Sequence, residues 1–238
     1  MHFAPGSAGN LLRGALGKNL KNLGGCAYDR WFAPASLNGP SGLRDKPRPF
    51  VLRAVHLEGA VINSGSPFCV GLNVFDPRAV DDLSRALTEF APLDSIDGRQ
   101  LIRLSLAARQ TEKVRVTFLT PTELKGVDRP DFAVLWARVR DRISTLRALY
   151  GSGPLAIDFR AMGGRAAEIR MTRCEIESVA AERISRTTGQ RHSLGGFIGF
   201  AEYEGQLGEF IPYLEAARYT GVGRQTVWGK GEISIEAF

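Results

Sequence analysis

YTGVGRQTVWGKG, residues 219–231, places four glycines within eleven residues, between a stretch of helical spacing and a short β-prone ending. Glycine lets a backbone turn through positive φ and lets another group approach the main chain closely. Successive N–H groups in such a loop form a concavity for an anion, which Arg224 and Lys230 would complete. The same residues also make an ordinary glycine-rich turn into a C-terminal strand. The flanking sequence gives this loop its place in a fold.

Working upstream, Leu207–Arg218 has the spacing of a helix, and Ile169–Ser178 and Gly196–Tyr203 have the composition of strands. A polar, basic run, Glu182–Ser193, joins those strands. Asp131–Tyr150 carries Phe132, Leu135, Trp136, Val139, Ile143, Leu146 and Leu149 at helical intervals, and Gly151 stops it. Lys113–Leu119 alternates Val114, Val116 and Phe118 with polar residues. With Gly231–Glu236 closing the chain, the order is β-α-β-β-α-β.

The first half repeats this plan without its opening strand. A helix is expected from about Asn10 to Leu23, with Leu11, Leu12, Ala15, Leu16 and Leu20 along it and Gly24-Gly25 ending it. Cys26–Pro49 reads as loop, Phe50–Leu57 and Phe68–Phe75 as strands, Pro77–Phe90 as a helix capped by Asp76, and Gln100–Ala108 as a closing strand. The expected fold class is therefore α+β: two tandem ferredoxin-like (RRM-like, βαββαβ) domains over residues 1–111 and 112–238, the first lacking part or all of its opening strand. The open face of such a sheet is a platform for single-stranded RNA, unless it packs against another layer.

Composition narrows the partners. The formal net charge is +6, and 25 of the 31 basic residues are arginine. A guanidinium matches a phosphate with two parallel hydrogen bonds and stacks on bases, so the bias favours a nucleic-acid partner. The three cysteines, Cys26, Cys69 and Cys174, are widely separated and form no CxxC pair, which supports neither a zinc knuckle nor a disulfide framework. No apolar run has the length of a membrane span and the N-terminus has no signal-peptide pattern, so the expected location is cytoplasmic.

Metal and nucleotide motifs are missing: His2, His56 and His192 have no partner at ligand spacing, the glycine loop lacks a Walker ending, and there is no GxSxG elbow. Neither metal nor cofactor is expected. Acid–base chemistry on RNA remains, where the 2′-hydroxyl is the nucleophile and the protein aligns it, moves protons and stabilises the phosphorane. His192, in the run ERISRTTGQRH (residues 182–192) with its cations and hydroxyls, can shuttle a proton near neutral pH or simply contact RNA. Ser185 in the same run and His2 at the chain's start complete the catalytic candidates. RNA-binding candidates are Arg13, Lys18, Arg183, Arg186, Arg191, Gly221, Gly223, Arg224, Gly229, Lys230 and Gly231.

Several of these segments resemble one family. GVGRQTVWGKG (221–231) is similar to the C-terminal glycine-rich loop of the RAMP-superfamily CRISPR repeat-processing endoribonucleases, and LGGFIGFAEYEGQLGEFIPYLEAARYTGVG (194–223) to the run before it. VRVTFLTPTELK (114–125) resembles the opening of the family's C-terminal domain, ERISRTTGQRHSLGG (182–196) its Arg-x-Ser-x-Arg element, GNLLRGALGKNL (9–20) its first helix and PRPFVLR (47–53) the strand after it. Two features depart: relatives open with a strand before the first helix, and often hold a cysteine cluster after it, where only Cys26 stands. Whether Met1 is the true start is thereby left open.

The resemblance implies metal-independent cleavage within the repeat of the precursor transcript, leaving a 2′,3′-cyclic phosphate and a 5′-hydroxyl on the mature guide. It implies CRISPR repeat RNA, single-stranded or hairpinned, as partner, together with other CRISPR-associated effector subunits, and neither membrane nor direct DNA contact. The family's catalytic residues do not transfer onto positions here, so His192→Ala is the expected test of His192. Two other classes stay open: a RAMP subunit that holds guide RNA without cutting, and a ferredoxin-like module for a small anion.

Overall fold

The computed structural model describes residues 1–24, 26–32, 46–88, 98, 100–124, 127–180, 182–184, 191–193 and 195–238, with 79, 87, 88, 182–184 and 191–193 known by backbone alone. Residues 89 and 90 of the expected helix lie outside them.

The second half is a complete ferredoxin-like unit. Strands β3 (Lys113–Thr122), β4 (Arg170–Val179), β7 (Gly196–Glu204) and β8 (Ile233–Ala237) form one antiparallel sheet in the order β4-β7-β3-β8. Helices α4 (Phe132–Tyr150) and α6 (Ile211–Thr220) cover one face. Strand alternation decides which face: Val114, Val116 and Phe118 are fully buried, while Arg115 and Thr117 point to the other side. Trp136 meets Phe210 and Tyr213 edge-on with ring centroids 4.9 Å apart, and Phe132 meets Tyr203 at 5.1 Å, so aromatics fill the layer between sheet and helices. The Tyr203 hydroxyl donates to the Pro130 carbonyl at 2.6 Å, which satisfies the polar end of a buried ring.

Between α4 and β4 a further helix, α5 (Phe159–Ala167), forms where no helix is expected from sequence. Its FRAMGGRAA has two glycines and little apolar periodicity. The Asp158 side chain caps it by accepting from the Ala161 amide at 2.9 Å, and Met162 and Ala166 bury against the main core. The basic run after β4 folds back on itself as a hairpin of β5 (Glu182–Ile184) and β6 (Arg191–Ser193).

The first half carries the middle of the same plan. Helix α1 (Ala8–Asn22) is followed by a short α2 (Ala27–Phe32), the antiparallel pair β1 (Phe50–Arg53) and β2 (Gly71–Val74), and α3 (Val80–Thr88). Helix α2 replaces part of the expected loop because Trp31 and Phe32 need burial: both join Leu16, Leu20, Phe50 and Leu52 in a second core. Asp76 caps the turn into α3 as expected, accepting from the Arg78 amide at 3.1 Å.

Gln100–Ala108 is not a strand. Residues 100–111 run without secondary structure, with Leu101 and Leu104 exposed. The second unit shows why. Its closing strand β8 pairs only with its opening strand β3, so a unit with no opening strand offers its closing strand no ladder. Ahead of α1 the described residues pair with residues 59–62 instead, through the isolated bridge His2–Val61 and the backbone hydrogen bonds around it.

Candidate nucleic-acid interface

The glycine loop, residues 221–231, lies in the seam between the two units rather than on an open edge. Its amides are largely committed. Val222 donates to Gly231 O (2.9 Å), Gly231 to Pro121 O (3.2 Å) and Arg224 to Glu123 O (3.1 Å), while a 3₁₀ turn over Thr226–Trp228 takes up those of Trp228 and Gly229. Gly231 sits at φ 68°, and a Cβ there would lie 1.9 Å from Val222 O, so this turn admits no side chain. Gln225 holds φ 63°, a left-handed conformation without glycine, at the loop's outer bend.

From the other unit, α1 presses on the loop. Gly9 fits so closely that a Cβ would stand 2.0 Å from Trp228 O. The Arg13 guanidinium lies between the rings of Trp228 and Phe32, 4.7 and 4.8 Å from their centroids. These contacts place the loop, α1 and β1 in one block.

The end of α6, which leads into the loop, is gripped by three side chains. Arg53 Nη2 on β1 donates to the carbonyls of Arg218 (2.6 Å) and Tyr219 (3.1 Å), Asn73 Nδ2 on β2 to Tyr219 O (2.9 Å), and Arg142 Nε on α4 to Thr220 O (2.6 Å). Those carbonyls have no intrahelical partner and carry the negative end of the helix dipole, so cations suit them. Burial, and then the charge of Arg53, pushes Arg142 down to about 10. Arg53 also faces Glu232 at 3.6 Å. A cavity of about 280 Å³ opens here, lined by Arg53, Asn73, Leu119, Arg218, Glu232 and Ser234.

The predicted site residues fall into three groups. Gly221, Gly223, Arg224, Gly229, Lys230 and Gly231 are in the seam loop, with Arg13 packed against it and Lys18 exposed on α1. Arg224 is 61% exposed and pairs with Glu123 at 2.7 Å, whereas Lys230 is only 3% exposed. Arg183, Arg191 and His192 have their backbones in the β5–β6 hairpin, where His192 is opposite Arg183; Ser185 and Arg186 lie outside the described residues. His2 bridges Val61. His56 is directed elsewhere, its Nε2 2.9 Å from Cys69 O. Among the described residues no three His, Cys, Asp or Glu side chains cluster as metal ligands, and no helix is long and apolar enough to cross a membrane. Sequence reasoning missed Arg53, Asn73 and Arg142, which meet the end of α6 from β1, β2 and α4 through contacts that no local pattern carries.

Residues 116–233, a span covering most of β3, the hairpin and the whole glycine loop, match the family model of the CRISPR-associated endoribonuclease Cas6. The chain belongs to the Cas6 family. Among solved structures, Cas6 (TTHB231) in a product complex aligns with a TM-score of 0.59 at 17% identity, over 94% of this chain and 92% of that one. A structure of Thermus thermophilus Cas6 (TTHB231) aligns with a TM-score of 0.55 at 16% identity, over 94% of this chain and 89% of that one. A product complex of Cas6 (TTHA0078) gives 0.54 at 15% identity, over 99% and 95%. At this identity the likeness is one of fold, and it extends over both halves of the chain. Among curated proteins none matches. Within the Cas6 fold of this chain, the loop's four glycines are the part legible from sequence; the arginines that clamp the helix before it are not.

Proposed function

We propose that the chain binds CRISPR repeat RNA in the precursor transcript and cleaves it to mature guide RNAs in the cytoplasm, without a metal. The observation that carries this reading is the glycine loop wedged between two ferredoxin-like units, inside the span that matches an endoribonuclease family. The 2′-hydroxyl attacks the adjacent phosphorus and the bond to the 5′ oxygen breaks. The products are a 2′,3′-cyclic phosphate and a 5′-hydroxyl. Such a reaction asks the protein for alignment, proton transfer and charge stabilisation. Arg224 at the loop's rim and Lys18 on α1 are placed to meet backbone phosphates, with Arg183, Arg186 and Arg191 of the basic run as a second set and Arg13 bracing the loop. The loop glycines act by letting the backbone pack closely, since most of their neighbours' amides are already engaged. His192, Ser185 and His2 are the proton-transfer candidates from sequence. Other CRISPR-associated subunits are the proposed protein partners.

Incubating the purified protein with its repeat RNA in EDTA tests this reading. A cyclic-phosphate product is expected. A mobility shift with intact RNA would instead support a subunit that holds guide RNA without cutting.

A further inference from the structure

The cavity of about 280 Å³ at the seam is walled by both halves of the chain. Arg53 and Asn73 come from β1 and β2, Arg218 from the end of α6, and Glu232 from the residue ahead of β8. Its polar groups are only partly used. Arg53 spends Nη2 on two α6 carbonyls, and its Nη1 stands 3.6 Å from Glu232 Oε2, beyond hydrogen-bond length. Those two facing atoms are buried and bond to nothing else among the described residues. Three further atoms, Arg53 Nε, Glu232 Oε1 and Asn73 Oδ1, also lack a hydrogen bond among the described residues, but they are not buried. The cavity thus offers a cationic donor beside two acceptors, one of them charged. The carboxylate stands on fixed backbone: Glu232 follows Gly231, whose turn admits no side chain, and its amide donates to Thr120 Oγ1 at 2.9 Å.

That set of groups selects a ligand. A phosphate would gain Arg53 but meet the Glu232 carboxylate across the same small space. A cation would face the guanidinium groups of Arg53 and Arg218. A ribose hydroxyl has one proton to give and would leave one acceptor idle. Guanine matches all three atoms: N1–H and the 2-amino group are adjacent donors, and O6 beside them is a favoured partner of arginine. Adenine, cytosine and uracil each carry a single donor group on that edge. The volume lies near the low end for small-ligand sites, which run from about 300 Å³, and so suits one base rather than a longer stretch. We propose that this cavity reads a single guanine of the repeat RNA, an assignment that rests on the repeat-RNA reading above. Glu232 accepts from the 2-amino group and Asn73 from N1–H, while Arg53 donates to O6. The site determines which RNA is held, and in what register along the glycine loop, and takes no part in the proton transfers.

Replacing each guanosine of the repeat by inosine in turn, which deletes only the 2-amino group, tests the assignment. The labelled RNA carries a deoxy sugar at the scissile position, so that it stays whole during the titration. At one position inosine should weaken binding to wild-type protein by about tenfold or more. Glu232→Met should bind the ordinary RNA more weakly by a similar factor and lose nothing further with inosine there. Glu232→Gln, which keeps the shape and an uncharged acceptor, should lie between the two. If no guanosine is sensitive in wild-type protein, the proposal falls without any variant. If Glu232→Met and Glu232→Gln weaken every RNA equally and the inosine penalty persists, Glu232 only braces Arg53 and the proposal is overturned. In both cases the repeat-RNA reading stands. A wild-type protein that binds none of these RNAs overturns that reading and the guanine site with it.

Discussion

Gly9 and Gly14 sit on the same helix and have opposite surroundings. A Cβ on Gly9 would meet Trp228 O at 2.0 Å, whereas one on Gly14 would meet nothing within 4 Å. Gly9→Ala must push α1 off the glycine loop, and overpacking of this kind typically costs about 1–3 kcal/mol. Gly14→Ala removes only the backbone entropy that glycine loses in a helix, and should stabilise the protein by about 0.5–1 kcal/mol. Urea denaturation of the two variants checks both signs. Gly9→Ala should also weaken binding of repeat RNA more than its stability loss alone explains, since the displaced backbone belongs to the loop that carries Arg224. Equal stabilities for the two variants would show that α1 does not bear on the loop. The spacing of the four loop glycines is visible in sequence, but Gly9 looks like any glycine in a helical pattern. Its constraint comes from Trp228, more than 200 residues away in the chain, and no local pattern carries that information. Lys230 is hidden for the complementary reason: a lysine between glycines reads as exposed, and only the closing of the two halves buries it.

At the scale of elements, legibility followed whether a segment's partner was present. The strands β3, β4, β7 and β8 were readable because each has a neighbour that rewards its alternation. Gln100–Ala108 has the same β-prone composition and forms no ladder, since its pairing partner would be a strand ahead of α1. Helices α2 and α5 went unread because Trp31, Phe32, Met162 and Ala166 hold them by tertiary burial rather than by periodicity. The outward face of the second sheet gives a prediction at this scale. Across it run Glu236, Arg115, Glu202 and Arg173 in one row, with Phe200 in the next row beneath both arginines. Hydrogen bonds from Arg115 hold the Glu202 carboxyl below the usual carboxylate range, and Lys113 and Arg170 do the same for Glu204. A carboxyl with a depressed folded value binds its proton more readily in the unfolded chain. Its contribution is therefore full above the ordinary range near about 4 and is lost as pH falls through the folded value. Urea midpoints should drop on acidification across that window, and Glu202→Gln should make the drop shallower. A variant whose acid limb matches wild type would remove Glu202 from the account.

The whole molecule separates its charges by surface, and this decides where RNA should lie. Four of the basic residues on the second sheet's outward face, Lys113, Arg115, Arg170 and Arg173, are each within 4 Å of a glutamate, so that face offers a polyanion little net attraction despite its resemblance to an RNA platform. The seam differs in degree: Arg53 and Arg142 bring two guanidinium groups against helix carbonyls with Glu232 as the nearby carboxylate, and Arg224, although paired with Glu123, projects from the loop with a largely exposed side chain. Phosphate contacts release counterions, so each one contributes about −0.7 to the slope of log K against log salt for a single strand. Arg224→Ala should therefore make the slope for repeat RNA shallower by roughly 0.7. Arg173→Ala should leave it unchanged, and Phe200→Ala should leave affinity unchanged at fixed salt. Titrating labelled repeat RNA at several salt concentrations reads all three. If instead Phe200→Ala or Arg173→Ala weakened binding and Arg224→Ala did not, the RNA would run across the sheet, and the seam would be only the joint between the two units.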